Sequence, residues 1–288
     1  MNRLPVVLIT FLLGSTHLTQ AKNASTRFHF EYQNGVPYVQ VISPQGRFRP
    51  MRFILDTGAS PTIFNHLTAS RLDVEKFGRS GNCGDASAIY VRQVHATCGG
   101  ISLKRVALSS DMIDISLGCG RWVDGLLGTD YFRDKIVTID FKNHILDIQE
   151  PESPGMLATL FNEIPFSDRH DSVFVNIQSP GSKRPLLFLL DTGSTRTFID
   201  TKLAKQLGID LQTTGRKVHT VGGNMIAYES KNFVGTCKGY AMPSKIYANS
   251  MSKLSWEYSR RIDGILGTDF LHAYTVHIDF RTRQVNFD

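Results

Sequence analysis

A chain of 288 residues is long enough for two compact units of ordinary size, each burying its own core. With 41% hydrophobic and 20% charged residues and no low-complexity tract, the composition is that of a folded soluble protein and excludes disorder as the default state. The net charge of +6 is scattered over separate segments, among them Lys183-Arg184, Lys202, Lys205 and Arg260-Arg261, without aromatic interleaving, so no nucleic-acid partner is expected.

In chain order, Met1-Asn2-Arg3 precede a mostly apolar run from Leu4 to Leu13, a polar stretch from Ser15 to Gln20 and the small residue Ala21. That pattern predicts a signal peptide over residues 1–21 and export to the periplasm or the extracellular space, with an uncleaved N-terminal anchor as the rival reading. No cysteine near the cleavage point marks a lipid anchor. No later segment is apolar over the roughly 20 residues a membrane helix needs, so no integral span is expected after cleavage.

Val39-Gln40-Val41, soon followed by Ser43-Pro44, reads as a strand running into a turn. Phe53-Ile54-Leu55 is a buried strand ending at Asp56-Thr57-Gly58, and Asn82-Cys83-Gly84-Asp85 ahead of Tyr90-Val91 predicts a hairpin. Glu150-Pro151-Glu152-Ser153-Pro154-Gly155 breaks the periodicity, which places a linker over residues 151–164 between halves spanning 27–150 and 165–288. The second half repeats the order. Val175-Asn176-Ile177 leads to Phe188-Leu189-Leu190 and Asp191-Thr192-Gly193, then to a brief helix from Lys202 to Leu207 and a hairpin around Gly222-Gly223-Asn224.

The recurrence is close to register-perfect. Residues 53–60 match residues 188–195 at a displacement of 135, and Asp124-Gly125-Leu126-Leu127-Gly128-Thr129-Asp130 matches Asp263-Gly264-Ile265-Leu266-Gly267-Thr268-Asp269 at 139, as does Ile139-Asp140-Phe141 with Ile278-Asp279-Phe280. Such self-similarity is the mark of an internal duplication. A lone D-T-G is a commonplace polar turn; two copies, each after Phe-aliphatic-Leu and each followed by the same glycine-rich segment, are not coincidence.

The chemistry of the motif follows from its setting. An aspartate at the end of a buried strand is costly unless paired or hydrogen-bonded. The glycine lets backbone approach the carboxylate, and the small threonine hydroxyl can bond across to the other half. On these residues the chain resembles the retropepsin-type aspartic proteases, in which a D-T-G loop and a later hydrophobic-hydrophobic-Gly segment, here Leu126-Leu127-Gly128 and Ile265-Leu266-Gly267, recur in every lobe. The similarity spans essentially the whole chain after residue 27.

That resemblance implies a mostly β protein with two retropepsin-like β-barrel lobes in one chain and a cleft between them, like a smaller bilobal pepsin. Asp56 and Asp191 would form the catalytic pair, supported by Thr57, Gly58, Thr192, Gly193 and Ser194. Flap residues Gly84, Gly222 and Gly223 would cover a polypeptide substrate. The family needs no cofactor and no metal: the pair shares one proton and activates a water. Within this frame the hydroxyl of Ser194, replaced by Ala59 in the first copy, is expected to donate to Asp191 and so to leave the shared proton on Asp56. A monomer is expected; the alternatives are a chain that pairs with another to complete its site and, in a different class, a non-catalytic peptide-binding or inhibitory protein of the same fold.

The remaining chemistry-bearing residues have plainer readings. Asp130 and Asp269 are expected to cap short helices or bond at the surface, Asp140 and Asp279 to lie on strand faces, and Trp122 and Trp256 to pack, with pocket lining as the alternative. Cys83, Cys98, Cys119 and Cys237 have no C-x-x-C spacing and the nine histidines form no ligand cluster, so no metal site is expected. The cysteines admit a covalent tie within the first half, or a free buried thiol at Cys237.

Overall fold

The computed structural model describes residues 25–44, 49–72, 74–83, 86–149, 171–220 and 223–288. The expected signal segment and the linker over 151–164 lie outside the described residues. The fold is mostly β.

Elements of the first half are β1 (Ser25–His29), β2 (Glu31–Gln33), β3 (Val36–Ile42), β4 (Met51–Leu55), β5 (Ile63–Asn65) and the short helix α1 (His66–Ala69). They continue with β6 (Glu75–Cys83), β7 (Ala86–Arg92), β8 (Thr97–Cys98), β9 (Ile101–Ser102), β10 (Ala107–Ser110), α2 (Ile113–Cys119), β11 (Gly125–Leu127), β12 (Ile136–Asp140) and β13 (Ile145–Gln149). The second half runs β14 (Phe174–Gln178), β15 (Leu186–Leu190), β16 (Phe198–Asp200), α3 (Thr201–Gln206), β17 (Gln212–Thr220) and β18 (Gly223–Ser230). It ends with β19 (Thr236–Cys237), β20 (Tyr240–Ala241), β21 (Ile246–Asn249), α4 (Ser252–Glu257), β22 (Gly264–Leu266), α5 (Thr268–Leu271), β23 (Thr275–Asp279) and β24 (Gln284–Phe287).

Two of the three sheets share one strand order. The first reads β6-β7-β10-β5-β11-β4-β3-β8-β9, with β2 paired to β3, and the second reads β17-β18-β21-β16-β22-β15-β14-β19-β20, the same sequence of counterparts. In each, the glycine-rich strand is inserted beside the strand that carries the D-T-G: β11 runs parallel to β4 with Leu127 opposite Leu55, and β22 parallel to β15 with Leu266 opposite Leu190. Side-chain-free positions make that insertion possible. A Cβ on Gly125 would stand 2.2 Å from the Phe53 ring, and one on Gly264 would stand 2.3 Å from the carbonyl oxygen of Phe198.

The third sheet joins the halves in the order β1-β13-β12-β23-β24. β12 and β23 pair antiparallel, with Val137 opposite Ile278 and Ile139 opposite Val276. All four of these side chains are fully buried. Strand alternation thus puts their partners Thr138 and Asp140 toward the other face, and Asp140 and Asp279 sit on strands as expected.

Three sequence expectations are corrected. Asp130 is not a surface residue, and Asp269 is half-buried. Asp130 is fully buried and its Oδ1 accepts from the backbone N–H and the hydroxyl of Thr62, at 2.7 Å each, while Asp269 receives the N–H and hydroxyl of Thr197 at 2.9 and 2.6 Å. These carboxyls brace the chain just beyond each D-T-G, where Thr62 and Thr197 also reach the N–H of Gly128 and Gly267. Trp256 does not pack: it is 81% exposed, because α4 turns that position outward, whereas half-buried Trp122 donates its indole N–H to Asp124 at 2.8 Å. Among the described residues Cys98, Cys119 and Cys237 are free thiols with no covalent tie, and the side chain of Cys83 lies outside them; burial pushes Cys98 and Cys237 up to about 12 and keeps them protonated.

The first aspartate of each glycine-rich segment is a buried hub. Asp124 accepts from the Arg52 N–H, the Thr68 hydroxyl and Arg49, and Asp263 from Arg184, from Arg261 and from the Leu187 N–H. Burial acts to raise the Asp263 carboxyl, but the Arg184 and Arg261 guanidiniums and the Leu187 N–H outweigh it and hold the group below its ordinary value. A depressed carboxylate contributes stability above the unfolded-state value of about 3.9 and loses it as pH falls through the folded one. Arg184→Ala is therefore expected to lower the melting temperature at neutral pH, with the gap to wild type closing under strongly acidic conditions; thermal scans across pH check it.

Candidate active site

Asp56 and Asp191 each follow the last residue of a central strand. The N–H of Asp56 bonds to the carbonyl of Leu127, and that of Asp191 to Leu266, at 3.0 Å each, so both strand ends are tied to the inserted glycine-rich strand. Beyond the aspartate the chain folds back on itself. Asp56 Oδ1 accepts from the N–H groups of Gly58 and Ala59 at 2.9 and 3.0 Å, and Asp191 Oδ1 from those of Gly193 and Ser194 at 2.8 and 3.1 Å.

The two loops meet face to face. A Cβ on Gly58 would lie 2.5 Å from the carboxyl carbon of Asp191, and one on Gly193 would lie 2.5 Å from that of Asp56. Only glycine permits each carboxyl to rest against the opposite loop. Beneath them, Thr57 Oγ1 donates to the carbonyl of Leu190 at 2.8 Å and accepts from the N–H of Thr192 at 3.0 Å; Thr192 Oγ1 donates to Leu55 at 2.6 Å and accepts from Thr57 at 3.1 Å. Both threonines are fully buried.

Electrostatics follow from this geometry. Burial, the charge of Asp191 and the hydrogen bond between the two side chains push Asp56 well above the carboxylate range, against the opposing N–H donors of Gly58 and Ala59. Burial also raises Asp191, while the bond to Asp56 and the N–H groups of Gly193 and Ser194 pull the other way. Two carboxyls this close hold one proton between them. Asp56 is pushed up the more strongly, by burial and by the charge of Asp191, and is the favoured holder of that proton.

The reason is not the one expected from Ser194. Its hydroxyl donates to the carbonyl of Arg196 at 2.8 Å, turned from Asp191, and only its backbone N–H reaches the carboxylate. The two loops thus offer their aspartates the same pair of donors, and Ser194 does not set the difference between them.

A cavity of about 310 Å³ opens over the pair. Asp56, Asp191, Gly193 and Ser194 lie at its base, and its walls include Ile54, Ile115, Leu126, Phe198, Val218, Met251, Leu254 and Ile265, with His219, Lys253 and Glu257. Of the expected flap residues, Gly84 and Gly222 lie outside the described residues, and Gly223 opens β18 opposite Thr220. The hairpins themselves are present as β6–β7 and β17–β18. Sequence reading had missed the braces Thr62 and Thr197, though their displacement of 135 residues matches that of the D-T-G copies and marked them as part of the repeat.

The mostly β architecture is consistent with a β-rich aspartic protease fold. Residues 175–270 match the family model described as aspartyl protease, a stretch that takes in the second D-T-G and the second Leu-Gly segment and supports a proteolytic function. No curated protein matches the chain. No helix among the described residues is long and apolar enough to cross a membrane.

Proposed function

We propose that the chain is an aspartic endopeptidase that hydrolyses internal bonds of extended polypeptides with Asp56 and Asp191 as its catalytic pair. The observation that carries this reading is the apposition of the two D-T-G carboxyls, each resting on the opposite glycine. In the resting pair, Asp56 carries the proton and Asp191 is ionised. Asp191 then takes a proton from a water held between them as it attacks the scissile carbonyl carbon, while Asp56 donates to the carbonyl oxygen. Collapse of the tetrahedral adduct returns a proton to the leaving amine. An extended peptide suits the cavity because alternate side chains can enter its apolar wall while backbone groups pair with the hairpin.

The rest of the reading is of a piece with this chemistry. The halves are tandem copies of a retropepsin-like lobe, each supplying one aspartate, and the protein works as an exported monomer in the periplasm or outside the cell. Incubating the purified protein with a mixed peptide library from acidic to neutral pH, with cleavage mapped by mass spectrometry, tests it. Internal cuts that a pepstatin-like inhibitor suppresses, with a matching rise in melting temperature, are expected. A folded protein that binds peptides but cuts none would move the assignment to a peptide-binding module.

A further inference from the structure

The braces behind the two D-T-G loops are alike in sequence but bonded differently. In the second half Thr197 gives each oxygen of Asp269 a donor, its N–H to Oδ2 and its hydroxyl to Oδ1. In the first half Thr62 brings both donors to Oδ1 of Asp130. Oδ2 of Asp130 is buried and has no hydrogen-bond partner among the described residues. Ser60 Oγ, two residues before Thr62 in the chain, is the other buried side-chain oxygen so placed, and the second half has none among the described residues.

Asp130 is also sealed. It is fully buried, whereas Asp269 is half-buried. The charges that act on it come from three places: Lys104 in the loop before β10, Arg133 in the turn before β12 and Asp171 at the start of the second half. Arg133 is paired with Asp171, Lys104 also feels Asp134 and Asp171, and none of them bonds to Oδ2. An ionised carboxyl here would keep one oxygen bare in a site without water contact, which is costly. Burial accordingly raises the group above the ordinary carboxylate value, with the charge of Asp171 on its side and the two Thr62 bonds and Arg133 opposing.

The bonding fixes where a proton goes. Thr62 Oγ1 accepts from the N–H of Gly128 at 3.1 Å and gives its own hydrogen to Asp130 Oδ1, which the Thr62 N–H also reaches. Oδ2 is left to carry the acid hydrogen. The same brace holds the loop of the pair: the N–H of Thr129 bonds to the Ala59 carbonyl at 2.9 Å, and the N–H of Ala59 bonds to Asp56 Oδ1 at 3.0 Å.

We propose that Asp130 is a positioning residue that works as a neutral acid, carrying on Oδ2 a proton of its own, apart from the one Asp56 and Asp191 share, and so keeping the first D-T-G loop in place. Its positioning role rests on the endopeptidase reading; its protonation does not.

Three variants of the full chain test this at about pH 5, roughly one unit above the value of about 3.9 at which an unfolded aspartate titrates. Wild type is expected to release about one proton more on unfolding than Asp130→Asn, read from the pH dependence of denaturant unfolding. Asp130→Asn keeps the acceptor for Thr62 and sets an amide where the acid O–H stood, so it is expected to melt no lower than wild type. Asp269→Asn has a single acceptor oxygen where two oxygens each took a donor, and is expected to melt lower. In cleavage, Asp130→Ala is expected to lose about 10²-fold in kcat with KM within about twofold, as a displaced catalytic loop requires, and Asp130→Asn to recover most of that loss. Equal proton release by wild type and Asp130→Asn, an Asp130→Asn variant that melts as low as Asp269→Asn, or loss of cleavage in folded Asp130→Asn would each overturn the proposal. Should the wild type cleave nothing, proton release and melting still read Asp130, so its failure and that of the endopeptidase reading remain distinct.

Discussion

Asp56→Asn is expected to abolish peptide cleavage while making the protein more stable at neutral pH. Asparagine can keep the acceptor oxygen for the N–H groups of Gly58 and Ala59 and can donate its amide to Asp191, so it reproduces the protonated aspartate in shape and bonding. What it cannot do is pass a proton to the scissile carbonyl. Loss of general acid catalysis is worth on the order of 10³-fold in rate. Asp191→Asn removes the base and should cost at least as much.

The stability effect has a definite sign. The Asp56 carboxyl is raised in the folded state, so above about 3.9 the native protein retains a proton that the unfolded chain has released. Stability conferred by that proton is complete at low pH and declines as pH rises toward the folded-state value. Removing the titration removes the decline. Melting curves of wild type and Asp56→Asn should therefore coincide most closely in acid and diverge toward neutrality, with the variant higher. A variant that melts lower than wild type at neutral pH would mean that the carboxyls are not in contact, and the reading of the site would fail with it.

Much of the architecture was legible because each sequence motif occurs twice. Asp56 and Asp191, separated by 135 residues, could be paired before any coordinates because their flanks repeat, and the identical strand order of the two large sheets is the structural form of that repeat. Harder to read were features that depend on where a side chain points. Asp130 and Asp269 stand beside aromatic residues at helix starts, a setting common at surfaces, and only the folded chain brings Thr62 and Thr197 onto them. Ser194 is one bond rotation from Asp191, yet the carbonyl of Arg196 offers its hydroxyl a local acceptor. Trp256 carried the strongest hydrophobic signal in its segment and faces outward. The close approach of His219 to the bare backbone of Gly118 joins residues about a hundred positions apart at positions that do not correspond in the repeat, so the repeat could not reveal it.

The threonine grip under the pair should be the second place where a small change has a large result. Thr57→Val keeps the volume and removes one hydroxyl, and with it two bonds: the donation to the Leu190 carbonyl and the acceptance from the Thr192 N–H. Both orphaned groups lie in a fully buried layer that admits no water in exchange. Each unsatisfied buried group costs about 1–3 kcal/mol, so the substitution is expected to cost about 2–6 kcal/mol. That is a large share of a total stability of about 5–15 kcal/mol. Thr57→Ser, which keeps the hydroxyl, should stay near wild type, and Thr192→Val should behave like Thr57→Val because it breaks the mirror bonds to Leu55 and Thr57. Denaturant unfolding of the three variants separates these outcomes. Since each loop is anchored through the opposite threonine, the valine variants should also lose cleavage under conditions where they remain folded: the two carboxyls can share a proton only while this layer fixes their spacing.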